Sequence, residues 1–514
     1  MHIIDRLTTF WQNLSPNTKR LIYYGCVGMI ILSPLITVWG MSLVLFDATP
    51  LEFVPLPSDE VLYWHQTATF KTVGFEGGYY SIEESPAPLS FIHFYTHGPV
   101  YPVVLGLLGR VFGWHLYAQP LFNIAFMMLA LVIFIAVTRP DFSQLFLLVL
   151  TLYTFWPALT YMLTGMRTSP QIALAIILAA LFYVLIVRAE QASVVLIVST
   201  GLLILFMALI KPTWSLLYLP YFLLIRDRLT ASWVVATLIA GACITACFVG
   251  GYFLAAHAAE FVGVLDIIRT ESLVAGIIAI GIMIWENLRN FVDPSHKHVW
   301  LLLRGQMVLL IGLGLWAWWK GDDQQKRRDG MVVALNLGLV AGIAIVLYDI
   351  YDWRDYRLFV PHTALAMFIL VARRRRTLLV ILIASNMVVA PSALKSFQNR
   401  NYFSFGPEVA ARIADFEQDV GAVLVYDEQP NNAWCNTLLI PFEVLVSRQA
   451  DILGTPPGIG LSWSGYMSTA AGFRSRYVLL ADGVYEQIGD RIPLEYQAST
   501  AIGDIYINQA VECP

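Results

Sequence analysis

The chain has 514 residues, of which 58% are hydrophobic and only 13% charged, where soluble domains carry about 25%. With a mean hydropathy of +0.65, an ordinary soluble domain is excluded. No basic stretch argues for nucleic acid, and the net charge of −4 says little about orientation, which follows the positions of Lys and Arg.

Spanning the hydrocarbon as a helix takes about 20 mostly apolar residues. The first run, about 20–46, is longer than a signal core and lacks a small-residue cleavage site, so it is read as a span. Further spans are expected at about 116–137, 144–163, 171–187, 193–210, 212–225, 233–256, 300–319, 331–348, 358–372 and 377–392. Two shorter stretches, about 98–112 and 272–286, are decided by positive charge. The arginines Arg373, Arg374, Arg375 and Arg376, the loop with Lys320, Lys326, Arg327 and Arg328, and Arg226, Arg228, Arg188, Arg6, Lys19 and Arg20 belong on the cytoplasmic side. Alternation satisfies them only if neither short stretch crosses. The expectation is an α-helical multi-pass protein of the inner (plasma) membrane with eleven spans, thirteen if both cross. Its N-terminus is then cytoplasmic and its C-terminus extracytoplasmic.

This topology collects polar segments on one outer face: 47–115, 164–169, 257–299 and 348–357. From about 400 the composition changes. Helix-like 408–418 and apolar runs at 422–426, 477–481, 494–498 and 502–507 predict a small α/β domain, dividing the chain into 1–395 and 396–514. Pro456-Pro457-Gly458-Ile459-Gly460 reads as a loop. Cys26, Cys243 and Cys247 fall in apolar helices and are assigned to packing. Cys435 and Cys513 fall in the C-terminal region and can pair if it is extracytoplasmic.

The outer segments carry the candidate chemistry. In 47–115 stands Asp59-Glu60, after Pro57-Ser58. A carboxylate at the membrane surface can act as general base toward an acceptor's hydroxyl or amine. The same residues suit the start of a helix through Val61, Tyr63 and Trp64, and both roles can hold together. His97-Gly98-Pro99-Val100-Tyr101-Pro102 follows, its prolines suited to a first helical turn; His97 is either a phosphate ligand or a plain loop residue. Arg354 and Arg357 precede the span near Leu358, on the side where positive charge is disfavoured. They suit bidentate binding of a phosphate or snorkelling at a span end. Arg167 and Lys211 also stand at outer span ends; Lys211, at the Lys211-Pro212 break in an apolar run, suits an anionic lipid head and plain snorkelling equally.

These residues resemble the GT-C glycosyltransferases, multi-pass enzymes that use polyprenyl-phosphate sugars. The likeness is carried by Ser58-Asp59-Glu60 outside the first span and by the stretch from His97 through Gly106 to Phe112-Gly113, similar to an H-P-P-L-Y-P helix ending in Phe-Gly. A third element, Asp352-Trp353-Arg354-Asp355-Tyr356-Arg357 before a span with Pro361, is similar to the late arginine segment. The similarity covers about 1–395 and points toward the bacterial branch of aminoarabinose and protein mannosyl transferases. The sequence departs in having Gly98 where proline is common, and in lacking a second acidic residue near Arg167.

The resemblance implies an inverting transfer from a polyprenyl-phosphate-linked sugar to an extracytoplasmic lipid, glycan or protein acceptor. Asp59 would be the base, with Glu60 as the second candidate. Arg354, Arg357, His97, Lys211 and Arg167 would meet the donor phosphate. No cofactor is assigned; some members bind a divalent cation such as Mg or Mn and others do not. A lipid-linked sugar transporter is the rival reading, expecting mid-span charges and repeated halves. A non-catalytic membrane scaffold is the third.

Overall fold

The structure is a computed structural model. It describes residues 14–53, 60, 63–64, 67, 70–71, 98–115, 117–188, 191–254, 267–268, 270–292, 298–347 and 357–399. In the C-terminal region it describes 438–441, 459–462, 477–480, 485–488, 493–500 and 503–510. Asp59, His97 and Arg354 lie outside these residues, as do the runs 408–418 and 422–426 and both Cys435 and Cys513.

The chain opens with α1 (Pro16–Phe46), where Ser15 Oγ accepts from the Thr18 N–H at 3.2 Å as N-cap. Then come α2 (Val100–Phe112), α3 (Ala118–Thr138), α4 (Phe142–Thr154) and α5 (Trp156–Met162), the last two meeting at a bend of 62°. Next are α6 (Thr168–Arg188) and α7 (Val194–Ile210). A 3-10 turn, Pro212–Leu217, leads into α8 (Tyr218–Ile225). After α9 (Trp233–Leu254) and α10 (Leu273–Val292) follow α11 (His298–Lys320), α12 (Gln324–Leu347), α13 (Val360–Ala372) and α14 (Arg376–Gln398).

Helices therefore form over all eleven expected runs, but their lengths sort them differently. Among the described residues eight are long and apolar enough to cross a membrane, nine if the bent α4–α5 pair is one span. Three expected spans fall short. Lys211-Pro212 cuts one apolar stretch into the 17 residues of α7 and the shorter Pro212–Ile225 segment, and α13 has only 13 residues. Conversely, the stretch expected to lie in the interface at 272–286 forms α10, a helix of 20 residues. That length meets the requirement for crossing, and its Leu273, Val274, Ile277, Ile278 and Trp285 are exposed apolar side chains.

One of the helices too short to span is also the most enclosed. Every residue of α13 is buried, packed among α4, α6, α12 and α14. A helix apolar on all sides belongs inside a bundle, where its ends need not reach the membrane surface. Around it the core joins Phe134, Phe182, Trp214 and Phe368.

One end of the bundle is tied by charge. Asp329 on α12 accepts from Arg373 Nε at 2.8 Å and from Arg375 at 2.6 Å. Arg374 pairs with Asp141 at 2.6 Å. Gln144 on α4 donates to the Ala372 carbonyl at 2.9 Å, and Arg328 donates to that of Ile186. The arginines that sequence reasoning uses as orientation markers thus also fasten helix ends to one another.

The C-terminal strands form one mixed sheet of order β2-β1-β3-β5-β4: β1 (Leu438–Pro441), β2 (Ile459–Ser462), β3 (Tyr477–Leu480), β4 (Leu494–Thr500) and β5 (Gly503–Asn508). β1 is parallel to β2 and β3, while β5 is antiparallel to β3 and β4. The strands expected at 477–481, 494–498 and 502–507 are present. β2 corrects the loop reading at its last two residues, with 456–458 outside the described residues: Ile459 and Gly460 pair with Leu438 and Leu439, and that non-local pairing outweighs the local turn signal there.

Candidate functional site

At the other end of the bundle, residues 60, 63, 64, 67, 70 and 71 are helical. Glu60, Tyr63, Trp64, Thr67 and Phe70 are all buried, a spacing that places them on one helix face. This stripe lies on α2. Tyr63 meets Tyr101 edge-on at 5.5 Å, and Arg110 donates to the carbonyls of Lys71 and Phe70 at 2.8 and 3.1 Å. Trp64 donates its indole N–H to the His115 carbonyl at 3.1 Å, and Trp114 donates to that of Trp64 at 3.2 Å.

Glu60 is 1% exposed. Its Oε2 accepts from the Gly165 N–H at 2.8 Å, which meets part of the cost of burying a carboxylate. Gly165 belongs to the turn between α5 and α6. A Cβ there would stand 2.8 Å from Gln119 Oε1 and 2.9 Å from Glu60 Cβ, so only glycine lets the carboxylate reach the backbone. Gln119, in the first turn of α3, donates to the Gly165 carbonyl and to the Tyr101 hydroxyl. Four residues on, Asn123 donates to the Thr164 carbonyl at 2.8 Å. Two polar side chains on one face of an otherwise apolar helix thus hold the turn.

Arg167, in the same turn, is buried. Its guanidinium carbon lies 4.8 Å from the Tyr63 ring centroid, a cation–π distance, and its NH1 donates to the Ile210 carbonyl at 3.1 Å. The next residue is Lys211, extended (φ −153°, ψ 118°) at the break between α7 and the 3-10 turn. The helices on either side of that break pack together, Tyr218 and Tyr221 donating to the Gly201 and Ile197 carbonyls at 3.0 and 2.8 Å. Lys211 therefore stands at the tip of a helical hairpin. Burial holds the Tyr101 hydroxyl protonated, above its ordinary range, with the charges of Arg167 and Glu60 both acting on it.

Gly98 explains a departure noted in the sequence. Its φ is +76° and a Cβ would stand 3.1 Å from the Leu209 carbonyl oxygen. Proline, fixed near φ −65°, cannot occupy it. The start of α2 thereby approaches the hairpin beside Lys211.

Of the seven residues singled out, the structure brings Glu60, Arg167 and the Lys211 hairpin together. Arg357 is exposed in the turn leading into α13; Asp59, His97 and Arg354 fall outside the described residues. Sequence reasoning missed Gln119 and Asn123, gave Tyr101 no role of its own, and also missed Gln171, Trp214, Asn336 and His362 deeper in the bundle. Polar side chains inside apolar runs were the available signal. Among the described residues no group of three His, Cys, Asp or Glu side chains could hold a metal ion.

No protein-family model matches the chain, and no curated protein does. Among solved structures it is similar to ArnT from Cupriavidus metallidurans bound to undecaprenyl phosphate, at 11% identity and TM-score 0.39. The match covers 95% of this chain and 99% of that one. The apo form of the same protein gives a TM-score of 0.40 at 11% identity, over 95% and 98% of the two chains. The archaeal oligosaccharyltransferase AglB from Archaeoglobus fulgidus, in complex with an inhibitory peptide and a dolichol-phosphate, gives 0.44 at 11% identity, over 94% and 75%.

Proposed function

We propose that the chain is a membrane glycosyltransferase that moves a sugar from a polyprenyl phosphate to an extracytoplasmic acceptor with inversion at the anomeric carbon. The reading starts from the sequence resemblance in Asp59-Glu60, the His97–Phe112 stretch and the late arginine segment. One structural observation carries it. The acidic segment is anchored through Glu60 to the Gly165 amide, in the same buried layer as Arg167 and next to the Lys211 hairpin. Acidic and basic groups are thereby gathered at one end of a helical bundle.

Asp59 takes the proton from the acceptor hydroxyl or amine as that atom attacks the anomeric carbon. The bond from that carbon to the phosphate oxygen breaks, and polyprenyl phosphate leaves. Charge grows on the leaving phosphate, so Arg167, Lys211, Arg354, Arg357 and His97 favour the transition state over the ground state. Glu60, already bonded to Gly165, anchors the chain next to Asp59. The membrane module is 1–395 and the separate α/β domain 396–514, with the site facing outside the plasma membrane.

The test is transfer from a prenyl-phosphate sugar by the purified protein. Asp59→Asn should lower the rate by about 10²–10⁴-fold while donor binding persists; an unchanged rate overturns the assignment. A reporter fused after Asn401 should read as extracytoplasmic, and one placed within 322–328 as cytoplasmic.

A further inference from the structure

Beside the candidate site lies an imidazole that the proposed chemistry does not use. His362, in the first turn of α13, is 1% exposed. Its Nδ1 stands 2.8 Å from Asn336 Oδ1, and Asn336 Nδ2 donates to the His362 carbonyl at 2.8 Å. A carbonyl only accepts, so the amide nitrogen of Asn336 faces it and the amide oxygen faces the ring. Nδ1 therefore carries the proton and Nε2 presents a lone pair. That Nε2 is buried without a hydrogen-bond partner among the described residues.

The ring stacks on Trp214, with centroids 4.0 Å apart and planes 26° apart. Trp214 is fully buried. Its backbone N–H donates to the Lys211 carbonyl at 3.0 Å, and its indole N–H to Gln171 Oε1 at 3.0 Å. The Gln171 amide in turn donates to the Arg167 carbonyl at 3.3 Å. One tryptophan is thus tied to Lys211 through its backbone N–H and to Arg167 through its indole and Gln171. His362 covers that indole, and Asn336 on α12 fixes the plane of His362.

Stacking alone does not account for a histidine here. Phenylalanine would stack on Trp214 and bury no orphan nitrogen, but it would leave the buried Asn336 Oδ1 without its donor. What histidine adds is a ring fixed by its bond to Asn336. We propose that His362 is a positioning residue for Lys211 and Arg167, an inference that rests on the reading that these two cations meet the prenyl-linked phosphate. The Asn336–His362 pair sets the Trp214 plane, and Trp214 sets the backbone from which both cations project. His362 itself touches no reacting atom.

The experiment uses the full-length protein in lipid nanodiscs, with undecaprenyl phosphate as the binding probe and a prenyl-phosphate sugar for kinetics. His362→Phe should melt within a few degrees of the parent protein yet bind the probe about tenfold more weakly. KM for the donor should rise by a similar factor and kcat should fall as well, because the two cations stabilise the transition state more than the ground state. In a Lys211→Met background the same change should weaken binding by clearly less than it does alone, because coupled residues are not additive. Probe affinity equal to the parent's in His362→Phe, or effects that simply multiply in the double variant, would overturn the inference. Should His362→Phe fail to fold, Asn336→Leu frees the ring while keeping the stack and is read in the same way. A parent protein that binds no undecaprenyl phosphate would overturn the functional reading and this inference with it; normal parent binding with an unaffected His362→Phe overturns the inference alone.

Discussion

The two polar ends of the bundle contrast in how their charges are held. At the Asp329 end, long side chains meet long side chains: two arginines converge on one buried carboxylate, and Arg374 reaches Asp141. Such contacts follow small shifts of the helices, because rotamers can adjust. At the Glu60 end the bonds that Glu60, Gln119 and Asn123 make to the 164–165 turn run to its backbone, around a glycine with no room for a methyl group. A backbone amide cannot follow a displaced partner. The first construction gives cohesion, and the second gives position, which is what proposed transfer chemistry requires.

Asp329→Ala should have the largest effect, and on stability. Removing one partner of a buried ion-pair cluster costs about 3–5 kcal/mol, read as a lower melting temperature. Transfer per folded molecule should be retained, and its collapse would erase the contrast between the ends. Gly165→Ala sharpens the other side. Its Cβ would press on Gln119 and Glu60, so overpacking should cost about 1–3 kcal/mol while transfer falls by about 10². A fall in melting temperature with full transfer would show that the Glu60 anchor is not positional. Gly98→Ala is smaller, about 1–2 kcal/mol for a left-handed backbone, with donor affinity reduced a fewfold through the hairpin beside Lys211.

Asp322→Asn should be the mildest. Its hydrogen bond with Lys326, at 2.8 Å, holds the Asp322 carboxyl below its ordinary range. Any stability it lends is present above the unfolded pKa and lost as pH falls through the folded one. The group is exposed and solvent-screened, so the melting temperature should stay unchanged in the variant and on acidification attributable to this residue.

The sequence was most readable where a pattern is local. The apolar runs did become helices, and the helix expected through Tyr63 and Trp64 is present, with buried members at Glu60, Tyr63, Trp64, Thr67 and Phe70. Span assignment was less readable, because hydropathy does not say whether protein or lipid covers an apolar surface. α13 and α10 both read as apolar, yet one is enclosed by other helices and the other exposes Leu273, Ile277 and Trp285. The site was readable at Arg167 and Lys211 as charges at run ends. Gln119, Asn123 and His362 were passed over, since a single polar residue barely alters the average of a long apolar run.

By itself, then, the sequence determined that this is a helical membrane protein, where its helices run and which charged residues flank them, since each follows from side chains within a few turns of one another. Only the tertiary structure decided that Glu60 would bond the amide of Gly165, 105 positions away, and that His362 would lie against Trp214. Those partners are set by how helices cross and by where a missing Cβ lets a carboxylate meet the backbone, distances that no local pattern encodes.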